Sequence, residues 1–174
     1  MIRLDVAWTW DGAPARPDEC AAVVVRRAGG QLVVDIDAPF HGDPPPPAAA
    51  GELDGLWNHE VVELMLVGAS GRYLELEVGP HGHSLAIALS GVRVREALLD
   101  LASVDVAISD GRWQARVTLD GRHVPPGVTA ANAFAIHGIG TARRFLCAAP
   151  TRGERPDFHR LAEFVRIDDS ALDA

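Results

Sequence analysis

Residues 55–82 read GLWNHEVVELMLVGASGRYLELEVGPHG, and the pattern inside them decides the fold class. Two apolar/polar alternations of period two, around 61–67 and 73–78, flank the turn-forming run Gly68-Ala69-Ser70-Gly71-Arg72, the signature of an antiparallel hairpin. Counting inward from the loop places Val67 opposite Tyr73, Met65 opposite Glu75 and Glu63 opposite Glu77. Val62, Leu64, Leu66, Leu74, Leu76 and Val78 then share a core face, while Glu63, Tyr73, Glu75 and Glu77 share the other. Like charges directly opposite destabilise a sheet, so these carboxylates have to be solvated, paired or neutralised. That requirement makes the acidic face a candidate site.

Outward from the hairpin the chain keeps the same grammar. Residues 2–10 alternate as a first strand, with Ile2, Leu4, Val6, Trp8 and Trp10 on one parity. Strands at 21–27 and 31–37 join across Gly29-Gly30, which suits the positive φ angles of a two-residue hairpin. Residues 38–54 form a loop, because the Pro44–Pro47 run cannot donate to a ladder; it is expected as a solvent-exposed excursion. A short strand at 84–89 follows the central hairpin. Residues 93–101 (RVREALLDL) place Val94, Leu98 and Leu101 on one helical face, so a single short helix is expected there. Strands 104–109 and 112–119 flank Asp110-Gly111, with Ile108 opposite Trp113 and Val106 opposite Ala115 on one buried face. Further strands are expected at 133–139 and 145–148, and the tail 158–167 holds one short strand or a turn of helix. Nine or ten short strands punctuated by Gly, Pro and Asp predict an all-β antiparallel sandwich of jelly-roll type, one domain over residues 1–174.

Bulk properties narrow the function. At 174 residues the chain can bury ~70% of its unfolded surface without staples. Its net charge of −8 argues against a nucleic-acid surface or an anionic membrane as partner. All 16 basic residues are arginine, a compositional bias with no functional content. No apolar run is long enough to span a bilayer and no secretory signal pattern opens the chain, so a cytoplasmic location and two free thiols, Cys20 and Cys147, are expected.

The motifs also carry a resemblance. Trp57-x-x-Glu60-x-Val62-Glu63 followed by Tyr73-x-Glu75-x-Glu77-x-x-Pro80-x-Gly82 resembles the central hairpin of the family 9 carbohydrate-binding-module-like (DOMON-like) β-sandwich superfamily. Residues 132–138 (NAFAIHG), 145–151 (FLCAAPT) and Pro156-Asp157-Phe158-His159 resemble its later motifs, in order and at sensible spacing. The signatures GLWxxEVVEL, PHG, NAFAIHG and PDFHRL are similar to those of small stand-alone uncharacterised proteins of that superfamily. The resemblance implies a sandwich that binds a saccharide or another small polar ligand without catalysis. Two departures stand out: Ala148 replaces a tryptophan of the family motif and His137 replaces its acidic residue.

The candidate ligand-binding residues are Trp57, Glu63, Tyr73, Glu75, Glu77, His137 and Arg144. Carboxylates a strand spacing apart accept hydroxyl hydrogen bonds, hold a hard cation or share a proton. Arg144 is a candidate partner for them, with Arg143 and Arg116 as alternatives, which would leave a shallow cleft suited to a polyol or a sugar acid. His137 is expected on the same face as a group titrating near pH 6–7, and Trp57 at the rim. His81 and His83 are expected as turn residues, His159 as a hydrogen-bonded residue of the 156–160 turn, and Met65 as packing rather than a haem ligand. No cofactor is expected, with a metal ion left possible, and no nucleophile elbow or phosphate loop is present. The alternative reading is an enzyme or metal-binding protein that uses Glu63, Glu75, Glu77 and His137.

Overall fold

The computed structural model describes residues 1–173. Fourteen strands follow in chain order: β1 (Ile2–Val6), β2 (Trp8–Thr9), β3 (Ala21–Ala28), β4 (Gln31–Pro39), β5 (Gly51–Glu52), β6 (Val61–Gly68), β7 (Tyr73–Val78), β8 (His83–Gly91), β9 (Val94–Leu98), β10 (Leu101–Ser109), β11 (Arg112–Asp120), β12 (Val128–His137), β13 (Arg144–Cys147) and β14 (Val165–Arg166). They form two sheets. One has the order β1-β3-β4-β11-β10; the other runs β2-β13-β12-β6-β7-β8-β5, with β9 on β8 and β14 on β12. Every pairing is antiparallel except β5 with β8. The architecture is an all-β sandwich.

The decisive hairpin forms as its pattern dictates. β6 pairs with β7 in the register Glu63 opposite Glu77, Met65 opposite Glu75 and Val67 opposite Tyr73. Val62, Leu64, Leu66, Leu74, Leu76 and Val78 enter the core between the sheets, meeting Val23, Val25, Val34, Val117 and their neighbours. The Asp110-Gly111 and Gly29-Gly30 turns carry positive φ at both central residues, the geometry whose twist matches a tight hairpin.

The larger sheet is apolar on its outer face as well. Leu56, Met65, Tyr73, Leu85, Ile87, Phe134, Ile136, Phe158 and Phe164 make a second cluster there, away from the inter-sheet core. Two irregular segments cover it: the 3-10 turn Leu56–Asn58 and the stretch 156–164 near the C-terminus. Phe158 stacks on Phe134 at 4.0 Å between centroids, and Phe164 tilts against the same ring at 5.8 Å. Every residue of β6 and β7 is therefore buried, the glutamates included. The site is positioned by this cover.

Four expectations need correction. The segment 93–101 is not helical: β9 pairs with β8, all five residues are exposed, and the only helices among the described residues are 3-10 turns. A helix that short is marginal in isolation, whereas the free edge of β8 supplies ladder partners at once. The strand at 2–10 breaks at Ala7, so that Trp8 and Thr9 join the other sheet beside β13 and Trp8 stays exposed. Ile108 does lie opposite Trp113, but it is 45% exposed while Trp113 is 1% exposed, because β10 is the sheet edge. Finally, the 38–54 loop is mostly exposed yet tied down. The buried Glu60 carboxylate accepts the backbone N–H groups of His41 (2.9 Å) and Asp43 (3.1 Å), and His83 Nε2 bonds the Ala48 carbonyl at 3.0 Å.

Candidate functional site

A cavity of about 410 Å³ opens on the outer face of the larger sheet, under the cover just described. Its floor carries Glu63 of β6, Glu75 of β7, Ile87 and Leu89 of β8, and Ile136 of β12. Trp57 and Asn58 close one side, and Phe145, Phe158 and His159 another. Three guanidinium groups border it: Arg93, Arg95 and Arg143. Strand alternation explains this composition. The parity that sends Leu64 and Leu76 inward sends Glu63, Glu75 and Glu77 outward, into a space that the cover then seals from most water.

Sealing sets the chemistry. Glu63 is 2% exposed and makes no hydrogen bond or ion pair with any described residue. Burial first, then the facing carboxyls of Glu77 and Glu75, push its pKa well above the usual carboxylate range, against a smaller pull from Arg143. Burial raises Glu75 to about 7, with Arg95 opposing. Glu77, fully enclosed, is pushed up to about 9 by burial and by the charge of Glu75. Taken as ionised, Glu77 has no partner for either oxygen; protonated, it is placed to donate to Glu75. At neutral pH Glu77 is therefore a neutral carboxylic acid, Glu75 lies close to its midpoint, and Glu63 is shifted toward its neutral form.

Beside the floor, the Tyr73 hydroxyl accepts the Arg93 backbone N–H at 3.0 Å and lies 2.7 Å from His159 Nδ1. The phenol keeps its O–H free to donate to Nδ1, an arrangement that places the imidazole proton on Nε2. Burial and the nearby Arg93 lower His159 to about 4, so it is neutral in this role. Arg93 pairs with Asp157 at 2.8 Å, and Asp157 also accepts the His159 backbone N–H at 3.0 Å. Arg95 forms a two-pronged pair with Asp54 at 2.8 and 3.0 Å and lies over the Trp57 ring.

Trp57, Glu63 and Glu75 line the cavity together; Glu77, paired with Glu63 across the hairpin, is fully enclosed and does not line it, and Tyr73 is held against His159. Trp57 is 38% exposed at the rim. His137 and Arg144 are corrections. His137 shares the parity of Ala133 and Ala135, and that parity points between the sheets; it is Phe134 and Ile136 that face the cavity side. His137 and Arg144 are instead cross-strand partners at the other side of β12 and β13, gathered around the buried Glu19. Arg144 donates to Glu19 at 2.7 and 3.0 Å. Burial alone would raise Glu19, but these bonds and the Arg16 backbone N–H outweigh it and hold it at about 2. His137 Nε2 lies 3.3 Å from Glu19, out of line for a hydrogen bond, and its ring stacks on His41 at 3.5 Å. Arg116 is also excluded as a partner of the glutamates, since it pairs with Asp35 on the other sheet. It is Arg143, one residue from Arg144 and so on the opposite strand face, that borders the cavity.

Sequence reasoning missed Arg93, Arg95, Phe158 and His159 as cavity residues, and offered Arg143 only as an alternative partner of the glutamates. A signal was present for two of them: Arg93-Val94-Arg95-Glu96 alternates in period two, which a strand reading would have placed beside the acidic face. His159 meets both roles, fixing its turn and bordering the cavity. Among the described residues no group of three or more His, Cys, Asp or Glu side chains is arranged to hold a metal ion. Carboxyls kept protonated are poor cation ligands in any case. Cys20 and Cys147 are both free, and burial raises Cys147 to about 12. Among the described residues no helix is long and apolar enough to cross a membrane.

No protein-family model matches the chain. Full-length relatives do. The human UPF0462 protein C4orf33 is 36% identical over 94% of this chain and 86% of its own length. Its zebrafish (Danio rerio) homologue is 35% identical over 90% and 83% respectively. The chain belongs to the UPF0462 family. Among solved structures, a "putative carbohydrate-binding protein" from Bacteroides uniformis superposes with a TM-score of 0.74, covering 97% of this chain and 86% of its own at 14% identity. At that identity the likeness establishes a shared fold.

Proposed function

We propose that this protein binds a small polar ligand, of saccharide type, in the cavity over Glu63 and Glu75. The carrying observation is that Glu63 and Glu75 border an open cavity, more than nine-tenths buried, with no protein partner for their hydrogen-bonding capacity apart from what Glu77 shares with Glu75. Buried polar groups are otherwise paired almost without exception, so such a set fits a ligand rich in hydroxyls. Trp57, Phe145 and Phe158 add the apolar ring faces that sugars stack on. The motif resemblance to the family 9 carbohydrate-binding-module-like superfamily, and the description of the Bacteroides neighbour, agree with this reading.

A thermal-shift screen of monosaccharides, sugar acids and polyols tests it, because a ligand specific for the native state stabilises by RT ln(1 + [L]/Kd). Glu75→Leu should weaken the best ligand by ~10-fold or more while leaving the unliganded melting temperature equal or higher, since an unpaired buried carboxyl contributes little to stability. A library in which nothing shifts the transition removes the proposal.

One observation favours a catalytic second reading. Glu75 titrates near 7 beside Glu77, held protonated to about 9, and carboxyls with separated pKa values are what acid–base chemistry requires. Following the tightest-binding saccharide by NMR over a day distinguishes the two. New anomeric signals establish turnover; an unchanged spectrum leaves a binding protein.

A further inference from the structure

We propose that the cavity selects a carboxylate-bearing sugar, a hexuronate, with the ligand carboxylate on Arg143 and its hydroxyls on Glu63 and Glu75. This rests on the saccharide-binding reading above and names the class that reading leaves open.

The three guanidinium groups around the cavity are not equivalent. Arg95 is matched by Asp54 and Arg93 by Asp157, each with carboxylate oxygens within 3.0 Å. Arg143 has no carboxylate within ion-pair distance among the described residues. Its Nη1 donates to the Asn58 carbonyl at 2.9 Å and its Nη2 to the Trp57 carbonyl, while its guanidinium sits 5.6 Å from the Phe145 centroid. These contacts fix the group and use two of its five N–H donors, leaving three. Burial pulls its pKa down, the mark of a cation partly removed from water without full compensation.

Two carboxyls act on Arg143 from a distance, Asp43 first and Glu63 second, and neither reaches ion-pair distance; for Glu63, burial with Glu75 and Glu77 alongside favours the neutral form. A neutral carboxylic acid supplies one O–H donor and acceptor oxygens, which complements a ligand carboxylate or hydroxyl equally. The charges around Glu63 and Glu75 are then Arg143, in contact with no carboxylate and opposed only at a distance by Asp43, the neutral pairs Arg93–Asp157 and Arg95–Asp54, neutral His159, neutral Glu77, and Glu75 itself near its midpoint. A neutral sugar would leave Arg143 with no carboxylate in contact, and a cation would meet its charge. An anion completes the set, and a guanidinium prefers a planar carboxylate that it can grip with two parallel bonds. The cavity volume, about 410 Å³, lies at the lower end of the ~300–1,000 Å³ of small-molecule sites, which suits a single sugar ring.

The test is titration calorimetry with matched pairs, glucose against glucuronate, galactose against galacturonate and mannose against mannuronate, at pH 6 and pH 8.5. The expected result is that one uronate binds ~10-fold or more tighter than its neutral parent at pH 6. Its affinity should fall by a similar factor at pH 8.5, as Glu75 and then its neighbours ionise in the same space. Arg143→Gln should abolish the preference for the acid over the parent sugar. Because Arg143 also holds the 57–58 turn, Glu75→Gln gives an independent measure: the amide cannot ionise, so the loss of affinity at pH 8.5 should shrink. A neutral parent binding as tightly as its uronate overturns the carboxylate proposal and leaves saccharide binding standing. A pH-independent uronate affinity also overturns it. If no sugar of either kind binds, the underlying saccharide reading is itself refuted.

Discussion

At the residue scale the three glutamates are the feature that sets this protein apart from a generic sandwich. Their folded-state pKa values lie above the unfolded value, so the native state binds protons that the unfolded chain has released. Their contribution is complete below about pH 4.5 and is lost as pH rises through about 7 for Glu75 and about 9 for Glu77. Other groups act in the opposite sense. His159, lowered to about 4, withdraws stability as pH falls below 6.5, and Glu19, held at about 2, withdraws it below 4.5. The difference between wild type and Glu77→Gln isolates the cluster. The variant should gain about 2 kcal/mol relative to wild type at pH 6, several degrees in Tm, with the gain growing up to pH 9 and vanishing below about pH 4. Parallel denaturation at these pH values checks it, and equal slopes for both proteins would show that Glu77 is ionised in the fold. Trp113 supplies the apolar counterpart. It is fully enclosed between the sheets, and Trp113→Ala should cost about 3–5 kcal/mol in urea unfolding.

At the element scale, the β6–β7 hairpin positions the carboxyls but only the cover makes them unusual. The cover has no regular secondary structure to hold it, so its side chains must do so, and the Phe158–Phe134 stack is the principal anchor. Phe158→Ala should cost about 3 kcal/mol or more and should admit water to the cavity. The second effect is separable from the first: Glu75, measured by carbon-13 NMR of the side-chain carboxyl, should shift down from about 7 toward the ordinary carboxylate range. An unchanged Glu75 in a destabilised variant would show that the seal lies elsewhere. The strand β9 makes a related point. Val94, Leu98 and Leu101 satisfy a helical spacing by coincidence, while the partner that decided the outcome, the edge of β8, lies outside the window in which that spacing is read.

At the scale of the whole molecule, both sheets share one core, and the acidic cavity sits on the far side of the larger sheet. A shared core predicts unfolding in a single cooperative transition, the behaviour expected if residues 1–174 are one domain. Calorimetry that resolves two transitions would divide the chain. Far-ultraviolet circular dichroism should be dominated by strand signal, with no α-helical minimum at 222 nm beyond the small contribution of the 3-10 turns.

What the sequence by itself determined was everything carried by period and local turn chemistry. The β6–β7 register, the core face of the hairpin and the Asp110-Gly111 and Gly29-Gly30 turns follow from alternation and from residues that tolerate positive φ. Those are short-range consequences of backbone geometry, and sequence neighbours record them. The candidate site was legible only to the same extent: Glu63, Glu75 and Glu77 on one face, with Trp57 nearby. Alternation divides a strand into two faces without saying which faces the other sheet, and so His137 and Arg144 were assigned to the wrong side of β12 and β13. The depth of the site, the pairing of Arg93 and Arg95 with Asp157 and Asp54, the freedom of Arg143 and the Tyr73–His159 bond all join segments 20 to 86 residues apart. Burial and electrostatic field depend on everything packed around a group. Only the tertiary structure, by laying residues 156–164 and the 56–58 turn over the sheet, turned a row of ordinary glutamates into buried carboxyls with raised pKa values beside a cavity.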